Sequence, residues 1–181
     1  MPARTILQRT RFFLAVEGKG EQSFVKWLQG LADVGGLHVH LDCKLLSGGG
    51  LEAMLKRSII YRKRGLTRPY QASFLIVDAD RADQGDCSID QLRREADSNK
   101  IRVCVQQPNQ EGLLLRMLPG NERLMPDKAS AMRLLKAQWI DYEKPVDAYT
   151  LSQRFSIDDL RRVAVIDPDL QDLLTVIGLL D

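Results

Sequence analysis

Two kinds of apolar pattern alternate along the first two thirds of the chain. Residues 12–16, 74–77 and 101–105 are short runs dominated by Phe, Leu, Ile and Val, while 37–43 alternates apolar with polar positions. Such stretches predict strands, the continuous runs being buried on both faces of a sheet. Between them, apolar residues return at helical spacing. Phe24, Val25, Leu28, Leu31 and Ala32 mark a helix over 21–32, and further helices are predicted over 51–61, 89–98 and 110–118. The last carries a stripe through Leu113, Leu114, Met117 and Leu118 and is stopped by Pro119-Gly120. Beyond it only helices are predicted, over 127–140, 156–165 and 168–179, with Ser156 and Asp167 as capping residues at two of the starts. Strand-helix alternation predicts an α/β, Rossmann-like domain over residues 1–120, with a mainly parallel four-stranded sheet and flanking helices. Residues 121–181 form a helical extension packed on it.

Composition narrows the class without naming a partner. The 181 residues suit one well-cored domain, and 44% hydrophobic with 28% charged residues is ordinary for a soluble globular chain. No apolar run approaches the roughly 18 residues of a membrane span. The basic start, with Arg4, Arg9 and Arg11, leads into an apolar run too short for a signal peptide, so a cytoplasmic location and no membrane partner are expected. Cys43, Cys87 and Cys104 are odd in number and widely spaced, which fits reduced thiols. The formal net charge of +2 is unevenly spread. Lys56, Arg57, Arg62, Lys63, Arg64 and Arg68 stand together without an acid, whereas six aspartates face Arg161 and Arg162 from residue 158 onward. The basic group reads either as a phosphate-contacting patch or as a solvated helix face.

The chemistry concentrates where strands end. The run 74–77 passes directly into Asp78-Ala79-Asp80, and the run 12–16 into Glu17-Gly18-Lys19-Gly20-Glu21. In a doubly wound sheet these first and third strands are neighbours at the switch point, where ligands bind beyond the carboxyl ends. Glu17, Asp78 and Asp80 are therefore expected to converge, with Glu21 turned towards the same point. Clustered carboxylates repel unless a cation or a shared proton neutralises them. Hard divalent ions prefer carboxylate oxygen, so Mg²⁺ or Mn²⁺ is the expected occupant. Ser47-Gly48-Gly49-Gly50 after the second strand reads either as a backbone approach to phosphate or as a flexible loop.

Glu17-Gly18 with Glu21 after one buried strand, and Asp78-Ala79-Asp80 after another, resemble the two motifs of the Toprim domain found in topoisomerases, bacterial primases, RecR-type recombination proteins and OLD-family nucleases. The glycine pair Gly48-Gly49 is also common there, and the resemblance covers about residues 10–118. Among Toprim families the chain is most similar to the small RloB-like proteins of phage-defence systems. In those, a proline-containing segment after the fourth strand leads to a glutamate opening an apolar helix, as in Pro108-Asn109-Gln110-Glu111-Gly112-Leu113. It departs from them at Gln110, where an aromatic is usual, and at Met117, where a histidine is usual. The resemblance implies a Mg²⁺-dependent nuclease acting on nucleic acid, with Glu17, Asp78 and Asp80 catalytic. Metal would be held by Glu17, Glu21, Asp78, Asp80 and Glu111, phosphate by Lys19, Arg57, Arg62, Lys63 and Arg64. Glu111 reads equally as a charge favoured at a helix start. A separate ATPase partner is implied because the chain has no nucleotide-binding motif; Gly18-Lys19-Gly20 lacks the Lys-Ser/Thr ending of a P-loop.

Rival chemistries lack parts. His38 and His40 share a strand face but have no third ligand at suitable spacing. Serine and cysteine nucleophiles lack an activating histidine. A topoisomerase needs a nucleophilic tyrosine on a separate domain. The alternative function is a non-catalytic Toprim module binding nucleic acid or a protein, as in recombination mediators.

Overall fold

The computed structural model describes residues 8–64, 68–84 and 87–181. Arg4 and residues 85 and 86 of the loop read over 81–88 lie outside the described residues. The elements in order are β1 (Thr10–Val16), α1 (Lys19–Val34), β2 (Val39–Leu45), α2 (Leu51–Arg64), β3 (Ala72–Asp78), a 3₁₀ turn (Ala79–Gln84), α3 (Ile89–Ser98), β4 (Arg102–Gln106) and α4 (Gln110–Met117). Four more helices follow: α5 (Lys128–Gln138), α6 (Ala148–Arg154), α7 (Ile157–Ala164) and α8 (Pro168–Val176). The four strands form one sheet in the order β2-β1-β3-β4, every pairing parallel. The expected α/β, Rossmann-like sheet with flanking helices is thus present, with β1 and β3 adjacent at its centre. Helix α6 was not foreseen. It has seven residues, of which Leu151 alone is buried, so no periodic stripe announces it; Asp147 starts it by accepting a hydrogen bond from the Thr150 N–H at 2.7 Å.

The central strands are buried on both sides, and the pleat sorts their side chains. Phe12, Leu14, Val16, Phe74, Ile76 and Cys104 pack with α1, α4 and the later helices. Phe13, Ala15, Leu75, Val77, Val103 and Val105 pack with α2 and α3. Each such fully buried Phe, Leu or Ile contributes about 1.5–3 kcal/mol relative to exposure. Helices beyond residue 120 share the first of these cores: Leu135, Trp139, Leu151, Leu160 and Leu173 lie in it with Phe24 and Leu28 of α1.

The acidic C-terminal stretch has structural work. Asp167 caps α8 and pairs at 2.7 Å with Arg116 of α4, whose side chain is fully buried. Asp169 accepts from the Val105 N–H at 3.0 Å and from Arg93 at 2.6 Å, so the edge of β4 is covered rather than left open.

The turn from β4 into α4 fixes one wall of the carboxyl edge. Asn109 caps α4 by accepting from the Gly112 N–H at 3.0 Å, and α4 then folds tightly onto the preceding turn. A Cβ on Gly112 would stand 2.4 Å from both the Gln107 carbonyl oxygen and Pro108 Cδ. Gly112→Ala is therefore expected to lower stability by about 2 kcal/mol. Gly30→Ala, in α1 where an added methyl meets nothing within 4 Å, should raise it by about 0.5–1 kcal/mol. Urea midpoints of the two variants check the pair; a destabilised Gly30→Ala or a neutral Gly112→Ala contradicts the packing.

Candidate metal centre

Each acid of interest is delivered to the carboxyl edge by a different local device. Glu17 follows the last paired residue of β1, and Gly18 begins α1. The Gly18 N–H donates to Glu21 Oε2 at 2.9 Å, satisfying one of the donors a helix start leaves open. A Cβ at Gly18 would lie 2.7 Å from that oxygen, so glycine is what lets Glu21 fold back. Asp78 is the last residue of β3 and shares the face of Phe74 and Ile76, which is the α1 and α4 side of the sheet. Asp80 sits on the 3₁₀ turn, its N–H donating to the Pro108 carbonyl at 3.1 Å. Glu111, in the first turn of α4, is 1% exposed.

Glu17, Lys19, Glu21, Asp78, Arg81 and Lys144 line one cleft of about 350 Å³ at the β1/β3 switch point. The acids are mostly matched to cations. Arg81 grips both oxygens of Glu17. Lys128 Nζ stands 2.9 Å from Asp80 Oδ2, an ion pair without hydrogen-bond alignment. Glu111 Oε1 accepts from Tyr142 Oη at 3.1 Å and pairs with Lys144 Nζ at 2.7 Å. Burial, Glu111's charge and that hydrogen bond hold the Tyr142 phenol well above its ordinary range, so it stays a donor.

Asp78 is the exception. Its Oδ1 is buried without a hydrogen-bond partner. Burial first, and then the charges of Glu21, Asp80 and Glu111, push its pKa up to about 8 against the opposing pull of Lys144. Its register partner on β4 is Gln106, so the two side chains project together from one face. Gln106 is 3% exposed, and neither its amide oxygen nor its amide nitrogen has a partner. Gln110 Nε2, a few residues on, is likewise buried and unpartnered.

The basic residues predicted from sequence divide. Lys19 is exposed and lines the cleft. Arg57 instead pins the glycine loop, donating to the Leu46 carbonyl at 2.6 Å and to the Gly48 carbonyl. Gly48 and Gly49 both take positive φ there, and a Cβ on Gly49 would meet the guanidinium at 2.4 Å. Arg62, Lys63 and Arg64 close α2 at the opposite edge of the sheet, where Arg62 donates to the carbonyl of Asn99, just before β4, at 2.7 Å. A 14-residue helix spans about 20 Å, so these three are not brought to the carboxylates. The cations that are brought there, Arg81, Lys128 and Lys144, were not singled out. Arg81 directly follows Asp80 and carried a signal; the two lysines lie in the extension, without a local pattern. Gln106 also carried one, since a polar residue ends an apolar strand there as Asp78 does in β3.

Comparison with protein-family models, characterised proteins and solved structures finds no match to this chain. Among the described residues, no three Asp, Glu, His or Cys side chains are grouped to hold an ion between them as they stand. Their chemistry nevertheless suits a hard cation: carboxylate oxygens, an amide beside them, and an orphaned buried oxygen on Asp78. Glu17, Asp80 and Glu111 are each paired with a basic side chain, Arg81, Lys128 and Lys144 in turn. No helix among the described residues is long and apolar enough to cross a membrane.

The raised Asp78 pKa fixes a sign. The folded chain holds this proton more tightly than the unfolded one, whose carboxyl titrates near its ordinary 3.8, so folding stability falls as pH rises from about 4 to about 8. Asp78→Asn removes that loss. With a chelator present, the advantage of the variant should grow between pH 5 and pH 8 and then level off. We expect on the order of 2 kcal/mol, or about 4–8 °C in Tm for a chain of this length. A pH-independent difference in Tm would mean that Asp78 is not titrating in that window.

Proposed function

We propose that the chain is a divalent-metal-dependent nuclease of the Toprim type, cleaving phosphodiester bonds of nucleic acid with Mg²⁺ or Mn²⁺. The observation that carries this reading is the unpartnered, buried Asp78 Oδ1 at the β1/β3 switch point, among Glu21, Asp80 and Glu111 and beside an unpartnered Gln106. Unsatisfied buried polar atoms are rare in native folds, and their clustering around one perturbed acid, Asp78, in a cleft points to a function. Asp78, Asp80, Glu21 and Glu111 are the residues that would hold the ion. A divalent ion held by these residues would supply charge stabilisation for the attacking and leaving oxygens. Glu17, oriented by Arg81, is the group to accept the proton of the attacking water, and Lys19 faces the same cleft to hold a phosphate. Phage defence in the cytoplasm, beside a separate ATPase, is the setting that the Toprim resemblance suggests.

The second reading is the non-catalytic Toprim module. It is favoured by Met117, which stands where a histidine is usual and is fully buried in the apolar core.

Cleavage of plasmid and of a labelled single-stranded oligonucleotide separates the two. In Mg²⁺ or Mn²⁺, Glu17→Gln should lose about 10²-fold or more in rate while binding the oligonucleotide nearly as the wild type does. Lys19→Ala should lower the salt slope of oligonucleotide binding by about 0.7. Replacing Arg62, Lys63 and Arg64 by Ala should weaken plasmid binding only if long nucleic acid reaches the opposite edge, and should leave a 12-mer unaffected. Wild-type protein that binds but never cuts, with either ion, leaves the binding-module reading standing.

A further inference from the structure

Lys144 has an unusual station. It lies on the segment joining α5 to α6, and it borders two clefts: the one lined by Glu17, Glu21 and Asp78, and a neighbouring one lined by Asn109, Glu111, Lys128 and Met132. The segment is anchored rather than loose. Trp139 packs edge-on against Tyr142 at 5.2 Å and against Phe155 at 5.7 Å, Phe155 meets Trp27 of α1 at 6.3 Å, and Tyr142 and Val146 are buried. From that fixed base the ammonium reaches Glu111, which is 1% exposed, while the Lys144 side chain itself remains 55% exposed. One end of this ion pair is therefore built in and the other can leave.

We propose that Lys144 is a tethered counter-ion that occupies the carboxylate site until a divalent ion enters, and that it then swings into the cleft to pair with a phosphate of the nucleic acid. The proposal rests on the metal-dependent reading above and adds to it the order in which charge is exchanged. The ammonium end of the pair is half-exposed and can return to water, but buried Glu111 cannot be left without a cation, so Lys144 is released only when another cation takes its place. A divalent ion doubles the Coulomb attraction to the same acids at the same distance. Its arrival also cancels the field from Asp78 and Glu21 that held the ammonium. The side chain is then a free cation on a four-carbon stem, at the border of the cleft that Lys19 also faces. Metal and nucleic acid would strengthen each other's binding for this reason.

The test measures Mn²⁺ affinity by calorimetry and the acetylation rate of individual lysines by peptide mass mapping. Lys144→Gln is expected to bind Mn²⁺ about three- to tenfold more tightly than wild type, because the competing ammonium is gone, and Lys144→Arg should keep the weaker affinity. In wild-type protein, saturating Mg²⁺ should raise acetylation of Lys144 at least threefold and leave exposed Lys63 unchanged. Adding oligothymidylate to the Mg²⁺-loaded protein should suppress it again. If Mn²⁺ binds wild type but Lys144→Gln binds no more tightly, or Lys144 acetylation ignores Mg²⁺, the exchange is overturned while the metal reading survives. If oligothymidylate fails to protect Lys144, the phosphate contact is overturned alone. If neither wild type nor Lys144→Gln binds Mn²⁺, the metal reading falls and takes this inference with it.

Discussion

Like charges gathered at the end of a buried sheet are the constraint on which the rest of this structure depends. A parallel sheet covered on both faces sends every ionisable group off its strands to their ends, and here β1 and β3 both end in acids beside two helix starts that carry acids of their own. Helix N-termini tolerate such charge, with Glu21 returning to the Gly18 N–H as the local example. They do not neutralise it. The neutralising groups come from elsewhere: Arg81 from the turn after β3, Lys128 from the start of α5, and Lys144 from the segment after it. Two of these three belong to residues beyond 120, so the helical extension takes part in the electrostatics of the carboxyl edge as well as in the core.

That dependence explains what could be seen in the sequence. Three strands were legible because apolar runs of four or five residues between helical stripes have few other homes, the second because its apolar and polar positions alternate, and the parallel arrangement followed from the helices between them. Glu17 and Asp78 were legible for the same reason, as charge directly abutting such a run, and they do face one cleft. The basic stretch Arg62-Lys63-Arg64 is not brought to the carboxylates, because linear clustering says nothing about which end of a helix faces a site; α2 runs away from the carboxyl edge, so its last turn is the part farthest from it. Lys128 and Lys144 were illegible because their positions depend on how α4 to α6 pack, which is set by Trp139, Tyr142, Phe155 and other contacts distant in sequence. Gln106 could have been found. A polar residue closing an otherwise apolar strand, in register with Asp78, is the same signal that identified Asp78 itself.

The arrangement also constrains how the two functional readings differ physically. A binding module needs positive potential on its surface, and permanently paired acids beneath that surface would do no harm. Its acids would then be expected to carry complete sets of partners, as Asp42 does with Arg11, Tyr70 and Lys44 on the other face of the sheet. Asp42 is held below its ordinary pKa despite partial burial, and both of its carboxyl oxygens have partners. Asp78 is treated in the opposite way by the same fold, raised by burial and by three acid neighbours and left with a bare oxygen. A chain able to satisfy one partly buried aspartate so fully has the means to satisfy another. That it keeps Asp78 costly, at the switch point and next to an unpartnered amide, is the physical argument for a cation-dependent activity over a passive one.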